Sequence, residues 1–147
     1  MLKRKYLLTH PKVIELNYQA NRKLGVNVYL VDGGTAFALI DVGYLETVQE
    51  TIELIRKLDY KLADCKYLIA THADADHVQG LARAKELLPG ALVVAHPLAA
   101  PLIEKGDVIE TFAHISAQGI TLEMPPCQVD QLVEEGDILE VGDVKLT

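Results

Sequence analysis

The sequence predicts an α/β fold in which short strands and amphipathic helices alternate along the chain. Three observations support this class. Four short apolar runs, rich in β-branched residues, are spaced through residues 26–95, and each ends at a turn or a polar segment. Two segments between these runs repeat apolar residues at helical spacing. The chain has 147 residues, of which 50% are hydrophobic, enough for one domain with a sizeable core, and this composition excludes intrinsic disorder.

The N-terminal part is predicted to form a strand followed by a β-hairpin. Residues 13–16 are a short strand candidate, and residues 26–31 are β-branched and aromatic enough to form a strand. The Asp-Gly-Gly sequence at 32–34 predicts a tight turn, because glycine accepts the positive φ that hairpins need. Residues 36–40 then return as a buried strand. This strand ends at Asp41, which places a carboxylate at its C-terminal end.

The middle of the chain is predicted to contain two further helix and strand units. Residues 45–58 carry apolar side chains at helical spacing and predict an amphipathic helix. Residues 67–70 predict an interior strand, and the polar residues 71–77 predict a loop leaving it. The apolar spacing over 78–88 predicts a second helix, and residues 91–95 predict another buried strand.

The C-terminal part has a weaker pattern. Pro97 is well placed to open a short helix that ends near Gly106. Residues 138–141 and 144–147 alternate like strands on either side of a Gly-Asp turn and predict a terminal hairpin. Because no repeat, low-complexity segment or linker interrupts the chain, residues 1–147 are predicted to form a single domain.

The composition limits which binding partners and which cellular compartment are expected for the protein. The formal net charge of -7 gives no general attraction to phosphate backbones, so no nucleic-acid partner is expected. No membrane span or secretory signal is expected, because the basic start of the chain is not followed by a long apolar run. Cys65 and Cys127 lie far apart and predict part-buried free thiols, which favours a reducing cytoplasm.

The most informative segment is the run His-Ala-Asp-Ala-Asp-His that begins at His72. His72 and Asp74 are two residues apart, so their side chains point the same way in an extended loop. Asp76 and His77 follow where the chain turns towards the helix. Two carboxylates this close repel each other unless a cation lies between them. Imidazole nitrogen and carboxylate oxygen together suit Zn(II), Mn(II) or Fe(II), so the segment predicts a divalent metal site.

A structural alternative exists for the members of this segment. Asp74 or Asp76 could cap the following helix, because aspartate is a good N-cap residue and acids favour the first turn. The histidines would then be merely exposed. Capping explains any one of these residues alone, whereas the set of four favours the metal site.

The segment, placed between a predicted strand and a predicted helix, resembles the metal-binding signature His-x-His-x-Asp-His of the metallo-β-lactamase superfamily of hydrolases. The opening hairpin with its Asp-x-Gly end at 41–43, the strand at 93–95 and the terminal hairpin resemble that family's elements in the same order. The resemblance covers nearly the whole chain. It implies half of an αβ/βα four-layer sandwich, with the metal site at one edge between the two halves.

One departure from the family's pattern concerns the ligands. Asp74 stands where the signature has its second histidine. Carried over by position, the resemblance implies that His72 and Asp74 serve one metal. Asp76 and His77 would serve a second. Zinc is the expected metal, and the added negative charge of Asp74 makes manganese or iron the alternatives.

A second departure is that the family's remaining ligands, two histidines and a bridging aspartate, would all follow Thr147. The chain is therefore expected to be the N-terminal half of a family member, either truncated or completed by another copy. A half-sandwich leaves an apolar sheet face to be covered, so a homo-oligomer is expected.

The activity that the resemblance implies is metal-dependent hydrolysis of a small-molecule substrate. Asp76 resembles the residue that orients or deprotonates the attacking water. Asp41 is expected to accept a hydrogen bond from a ligand imidazole, with a turn-forming role before Gly43 as the open alternative. The opening hairpin and signature are similar to those of glyoxalase-II-type thioester hydrolases, and a β-lactamase is less expected because those enzymes are typically exported. The alternative function is a non-catalytic metal-binding or self-assembling module.

Overall fold

The computed structural model describes residues 12–19 and 25–147, which contain ten strands and five α-helices. The strands are β1 (Val13–Glu15), β2 (Tyr29–Asp32), β3 (Phe37–Ile40), β4 (Cys65–Ile69), β5 (Leu92–Ala95), β6 (His114–Ile115), β7 (Ile120–Thr121), β8 (Gln131–Leu132), β9 (Leu139–Val141) and β10 (Val144–Leu146). The helices are α1 (Leu16–Gln19), α2 (Val48–Lys57), α3 (Ala75–Val78), α4 (Leu81–Leu87) and α5 (Ala100–Lys105). The alternation of strands and helices confirms the α/β class.

The main sheet has six strands in the order β1-β2-β3-β4-β5-β8. The first three pair antiparallel, so the predicted opening hairpin is confirmed. From β3 to β8 the neighbours are parallel. The carboxyl ends of β3, β4 and β5 therefore meet at one edge of the sheet, where ligand sites of open parallel sheets form.

The larger core lies between the sheet and helices α2, α4 and α5. Leu39, Leu68 and Val93 point from three neighbouring strands into this core and are fully or nearly fully buried. The amphipathic helix predicted over 45–58 is present as a 3₁₀ turn, Leu45–Thr47, followed by α2. Its buried residues include Ile52 and Ile55, which lie on the apolar face that the spacing predicted.

The opposite face of the sheet carries a smaller core, covered by the terminal hairpin. β9 and β10 pair antiparallel, as predicted, and pack Leu139 and Val141 against Ala38, Tyr67 and Val94. The hairpin is fixed to the turn between β2 and β3. There the backbone of residue 33 passes so close to the hairpin that a Cβ would lie 1.7 Å from a carbonyl oxygen, and glycine is required.

The predicted loop over 71–77 and the single helix over 78–88 are both corrected. Ala75–Val78 already forms the short helix α3, and the helix breaks before α4 begins at Leu81. The break has a tertiary cause. The backbone N–H groups of Val42 and Gly43 both donate to the carbonyl oxygen of His77 at 3.0 Å, so this oxygen is already bonded where a continuous helix would need it.

Smaller differences concern element ends. β4 begins at Cys65 rather than at residue 67, and the apolar run did not reveal this because exposed Lys66 interrupts it. The helix predicted from Pro97 begins at Ala100 and ends at Lys105, and Gly106 follows it with a left-handed φ of 62°. No helix in the described part of the chain combines the length and the apolar character that a membrane span needs.

Both cysteines are free, as predicted, and both are buried rather than part-buried. Burial raises the pKa of the Cys65 thiol to about 12. Burial also raises the pKa of Cys127 to about 11, with a further rise from the nearby charge of Asp130. Thiols with such values remain protonated at neutral pH, so neither cysteine offers a nucleophilic thiolate.

The free energy of unfolding is expected to fall as pH rises from about 9 towards 11. In this range the thiols ionise in the unfolded chain while the folded chain keeps them protonated, so the unfolded state gains stability by about 1.4 kcal/mol per pH unit for each thiol. Denaturant unfolding of wild type and Cys65→Ala, at about pH 8 and about pH 10, measures this effect. The variant should lose less stability between the two pH values than wild type, and an equal loss would contradict the assignment.

Candidate metal centre

Two loops meet at the carboxyl edge of the sheet, one after β3 and one after β4. The backbone N–H of Asp41 donates to the carbonyl oxygen of Ile69 at 2.7 Å, which continues the pairing of the strands by one residue. The N–H of Thr71 in turn donates to Asp41 Oδ1 at 2.9 Å. These bonds bring Asp41 to the start of the His72 segment, although 30 residues separate Asp41 from Thr71.

The first half of the cluster pairs His72 with Asp74. Their Nε2 and Oδ2 atoms are 3.5 Å apart, and each side chain is 44% exposed. The other ring nitrogen of His72, Nδ1, lies 2.7 Å from the hydroxyl of Thr71. The two side chains therefore point the same way out of the loop, which is the arrangement expected from their spacing.

The second half pairs His77 with Asp76 at the beginning of α3. His77 Nε2 lies 3.6 Å from Asp76 Oδ2. His77 Nδ1 is hydrogen bonded to Asp41 Oδ2 at 2.9 Å, and Asp41 is almost completely buried. The Nδ1 edge of the His77 ring is thus held by buried Asp41, while Nε2 lies near the half-exposed carboxylate of Asp76.

The two halves adjoin each other. The ring centroids of His72 and His77 are 4.2 Å apart. Ligand atoms of His72, Asp74 and Asp76 all lie within 4.8 Å of one another, as do ligand atoms of Asp41, His72 and His77. The structure thus brings together all five residues that the sequence singled out.

The spacing within each half fits a shared divalent ion. Two ligands bound to one ion at about 2.1 Å with tetrahedral angles lie about 3.4 Å apart. The observed separations of 3.5 and 3.6 Å are close to this value. Imidazole nitrogen with carboxylate oxygen is also a donor set that zinc, manganese and iron accept.

Helix capping does not account for Asp74. This residue occupies the N-cap position of α3, but its side chain makes no capping hydrogen bond. Asp41 has the geometry expected for both alternatives, the turn and the contact with an imidazole. Its φ of 60° places it in the left-handed region, which aspartate tolerates at turns, and its carboxylate accepts the hydrogen bond from His77.

Two polar residues of this region were not singled out from the sequence. Thr71 contacts both Asp41 and His72 through its hydroxyl. Gln79 is buried, accepts a hydrogen bond from the N–H of Leu45 at 3.0 Å and donates one to the carbonyl of Glu123 at 2.7 Å. The only sequence signal for Thr71 is its position between the predicted strand and the signature. No sequence signal indicates that Gln79 is buried, because glutamine usually lies at the surface.

A cavity of about 280 Å³ lies beside the cluster. Asp74 and Asp76 form its polar side, and its other walls are largely apolar. The complete lining consists of Tyr44, Asp74, Ala75, Asp76, Thr111, Phe112, Ile115 and Leu122. Phe112, one of the lining residues, is 68% exposed and has a left-handed φ of 58°. The arrangement can receive a small molecule with an apolar part next to the acidic cluster.

Comparison with known proteins identifies the family. The model of the metallo-beta-lactamase superfamily matches residues 21–147. The chain belongs to the metallo-β-lactamase superfamily. A search among curated proteins gave no significant match.

Solved structures confirm the predicted fold. A metallo-β-lactamase of Cronobacter sakazakii with a HARLDQ motif is 28% identical, with a TM-score of 0.70 over 82% of this chain and 44% of its own. BJP-1, a subclass B3 metallo-β-lactamase of Bradyrhizobium japonicum, is 32% identical, with a TM-score of 0.71 over 83% of this chain and 44% of its own. FEZ-1 from Legionella gormanii, at 22% identity and a TM-score of 0.69 over 81% of this chain and 44% of its own, shares the fold. The chain thus spans less than half the length of these proteins.

The six residues of the HARLDQ motif can be compared with the six residues from His72 to His77. The motif shares its first, second and fifth residues with this segment. Arginine and glutamine stand there in the third and sixth positions, where this chain has Asp74 and His77. Here both positions carry groups that can bind a divalent cation.

Proposed function

We propose that this protein is a metal-dependent hydrolase whose divalent ions are held by His72 with Asp74 and by His77 with Asp76. The observation that carries the proposal is that each Nε2 atom faces a carboxylate oxygen at a distance suited to a shared ion. Membership of the superfamily supports the same conclusion. Zinc is the ion proposed first, and manganese or iron is the alternative because Asp74 adds a second carboxylate to the ligands.

The residues of the cluster would have different roles in the reaction. The chemistry supplied by a bound divalent ion is the activation of water at neutral pH and the polarisation of the bond under attack. The Asp76 carboxylate borders the cavity, so it can orient the attacking water and accept its proton. Asp41 fixes the ring of His77 through the bond at Nδ1 and leaves Nε2 for the ion.

Two substrate classes are supported by separate observations. The similarity of the opening hairpin and the signature to glyoxalase-II-type enzymes favours a thioester. The 32% identity to a protein named as a subclass B3 metallo-β-lactamase favours a β-lactam. Both are small molecules with a carbonyl carbon open to attack, and an apolar group on either could occupy the cavity beside Asp76.

Turnover measured with both substrate classes tests the proposal. Purified protein is loaded with Zn(II) or Mn(II) and assayed on a generic thioester and on a chromogenic cephalosporin. We expect turnover that chelation abolishes and that His72→Ala removes. His96→Ala is the matched control, because His96 is an exposed histidine just after β5 at the same sheet edge and does not belong to the cluster.

Two results would count against the hydrolase. Turnover that survives in His72→Ala would show that the cluster is not the active centre. Metal bound in the expected amount, without turnover of either substrate, would favour the alternative of a non-catalytic metal-binding module.

A further inference from the structure

A chain of hydrogen bonds runs from buried Asp41 through the exposed residue Thr71 to His72. The Thr71 hydroxyl oxygen lies 2.8 Å from Asp41 Oδ2 and 2.7 Å from His72 Nδ1. The backbone N–H of Thr71 is bonded to the second oxygen of the same carboxylate at 2.9 Å. Thr71 is therefore held at two points by Asp41 and touches the imidazole with its only side-chain polar group.

The chemistry of these groups fixes the direction of each bond. An ionised carboxylate can only accept, so the hydroxyl hydrogen of Thr71 points to Asp41. The hydroxyl oxygen then has only lone pairs to offer to His72. A hydrogen bond between this oxygen and Nδ1 consequently requires the ring hydrogen of neutral His72 on Nδ1, which leaves Nε2 with a free lone pair towards Asp74.

The same carboxylate oxygen of Asp41 contacts the second histidine, His77, directly. Asp41 Oδ2 lies 2.9 Å from His77 Nδ1, and a carboxylate requires a donor there. His77 therefore also carries its hydrogen on Nδ1 and turns the lone pair of Nε2 towards Asp76. One buried carboxylate thus prepares both rings in the form that binds a cation.

We infer that Thr71 is a positioning residue that sets the tautomer of His72 by relaying the charge of Asp41, while Asp41 sets His77 directly. The inference rests on the proposed metal site and adds that the two halves of this site depend on different supporting residues. Loss of the Thr71 hydroxyl affects only the half formed by His72 and Asp74. Loss of the Asp41 charge affects both halves.

Nitrogen-15 NMR of the histidine rings in the metal-free protein tests this assignment. Long-range ¹H–¹⁵N correlations, recorded on the neutral form of the rings as their nitrogen shifts identify it, show which ring nitrogen carries the hydrogen. We expect hydrogen on Nδ1 in His72 and His77. His96 provides an internal control of the opposite kind, because its Nδ1 accepts the N–H of Leu98 at 3.0 Å and its hydrogen must lie on Nε2.

Two substitutions separate the hydroxyl from the shape of the side chain. Thr71→Val should abolish the preference of His72 for hydrogen on Nδ1 and leave His77 unchanged. Thr71→Ser keeps a hydroxyl and should retain the wild-type pattern. In zinc competition titrations, Thr71→Val should also weaken binding about 10- to 100-fold, as expected when a partner that orients a ligand is lost, whereas Thr71→Ser should not.

Hydrogen on Nε2 of His72 in wild type, or a His72 signal that Thr71→Val leaves unchanged, would overturn the inference. The wild-type spectrum is decisive even if the valine variant fails to fold. The ring signals require neither metal nor substrate. Absence of hydrolysis together with the expected tautomers would therefore refute only the proposed function, and turnover with hydrogen on His72 Nε2 would refute only the role of Thr71.

Discussion

Replacing Asp76 with asparagine is expected to reduce kcat of the metal-loaded protein by at least about 100-fold, because a general base contributes roughly 10²- to 10⁴-fold. The asparagine side chain has nearly the same shape but cannot accept the proton of water at neutral pH, and it carries no charge to hold a cation. Steady-state kinetics on the substrate that the protein turns over, combined with metal analysis of the same sample, measures the two effects separately.

The matched control for this substitution is Asp59→Asn. Asp59 is exposed and has a left-handed φ of 67°, a conformation that asparagine also tolerates. This variant should keep wild-type kcat and metal content. Near wild-type kcat in Asp76→Asn would rule out Asp76 as the base, even if the protein proved to be a hydrolase.

Replacing Leu68 with alanine is expected to lower the free energy of unfolding by about 2 to 5 kcal/mol. Leu68 is completely buried in β4, near the middle of the main sheet, and points into the larger core. The truncated side chain removes apolar burial and leaves a cavity that the surrounding strands and helices can close only in part. Urea unfolding measures the loss, with a lower midpoint and an unchanged slope.

Leu92→Ala serves as the control, because it is the same substitution on the neighbouring strand. Leu92 is 41% exposed, and we expect Leu92→Ala to lower the free energy of unfolding by less than about 1 kcal/mol. Equal losses at Leu68 and Leu92 would contradict the described division between the core and the surface of the sheet.

Local patterns were sufficient for much of the fold. The amphipathic period between residues 45 and 58 predicted α2, and glycine-containing turns predicted both hairpins. The helix break before Leu81 could not be predicted, because it depends on two N–H groups after β3 that bond to the carbonyl of His77. The homo-oligomer, the cytoplasmic compartment and the single domain over residues 1–147 stay predictions.

The residues of the candidate site likewise fall into those that local sequence reveals and those that depend on tertiary contacts. Four of its residues could be singled out because they lie within six consecutive positions and can all bind a metal, and Asp41 because it ends a buried strand. Thr71 and Gln79 act through hydrogen bonds to groups that are brought near by folding, as in the bond between Gln79 and Glu123. Their residue types alone carry no such signal, since threonine and glutamine are common at protein surfaces.

A crystal structure of the zinc-loaded protein, with anomalous data collected at the zinc edge, tests the central claim most directly. We predict an anomalous peak within about 2.0 to 2.2 Å of a ligand nitrogen or oxygen in at least one of the two pairs, His72 with Asp74 or His77 with Asp76. Four side chains directed apart into solvent, with no anomalous peak among them at full zinc loading, would contradict it.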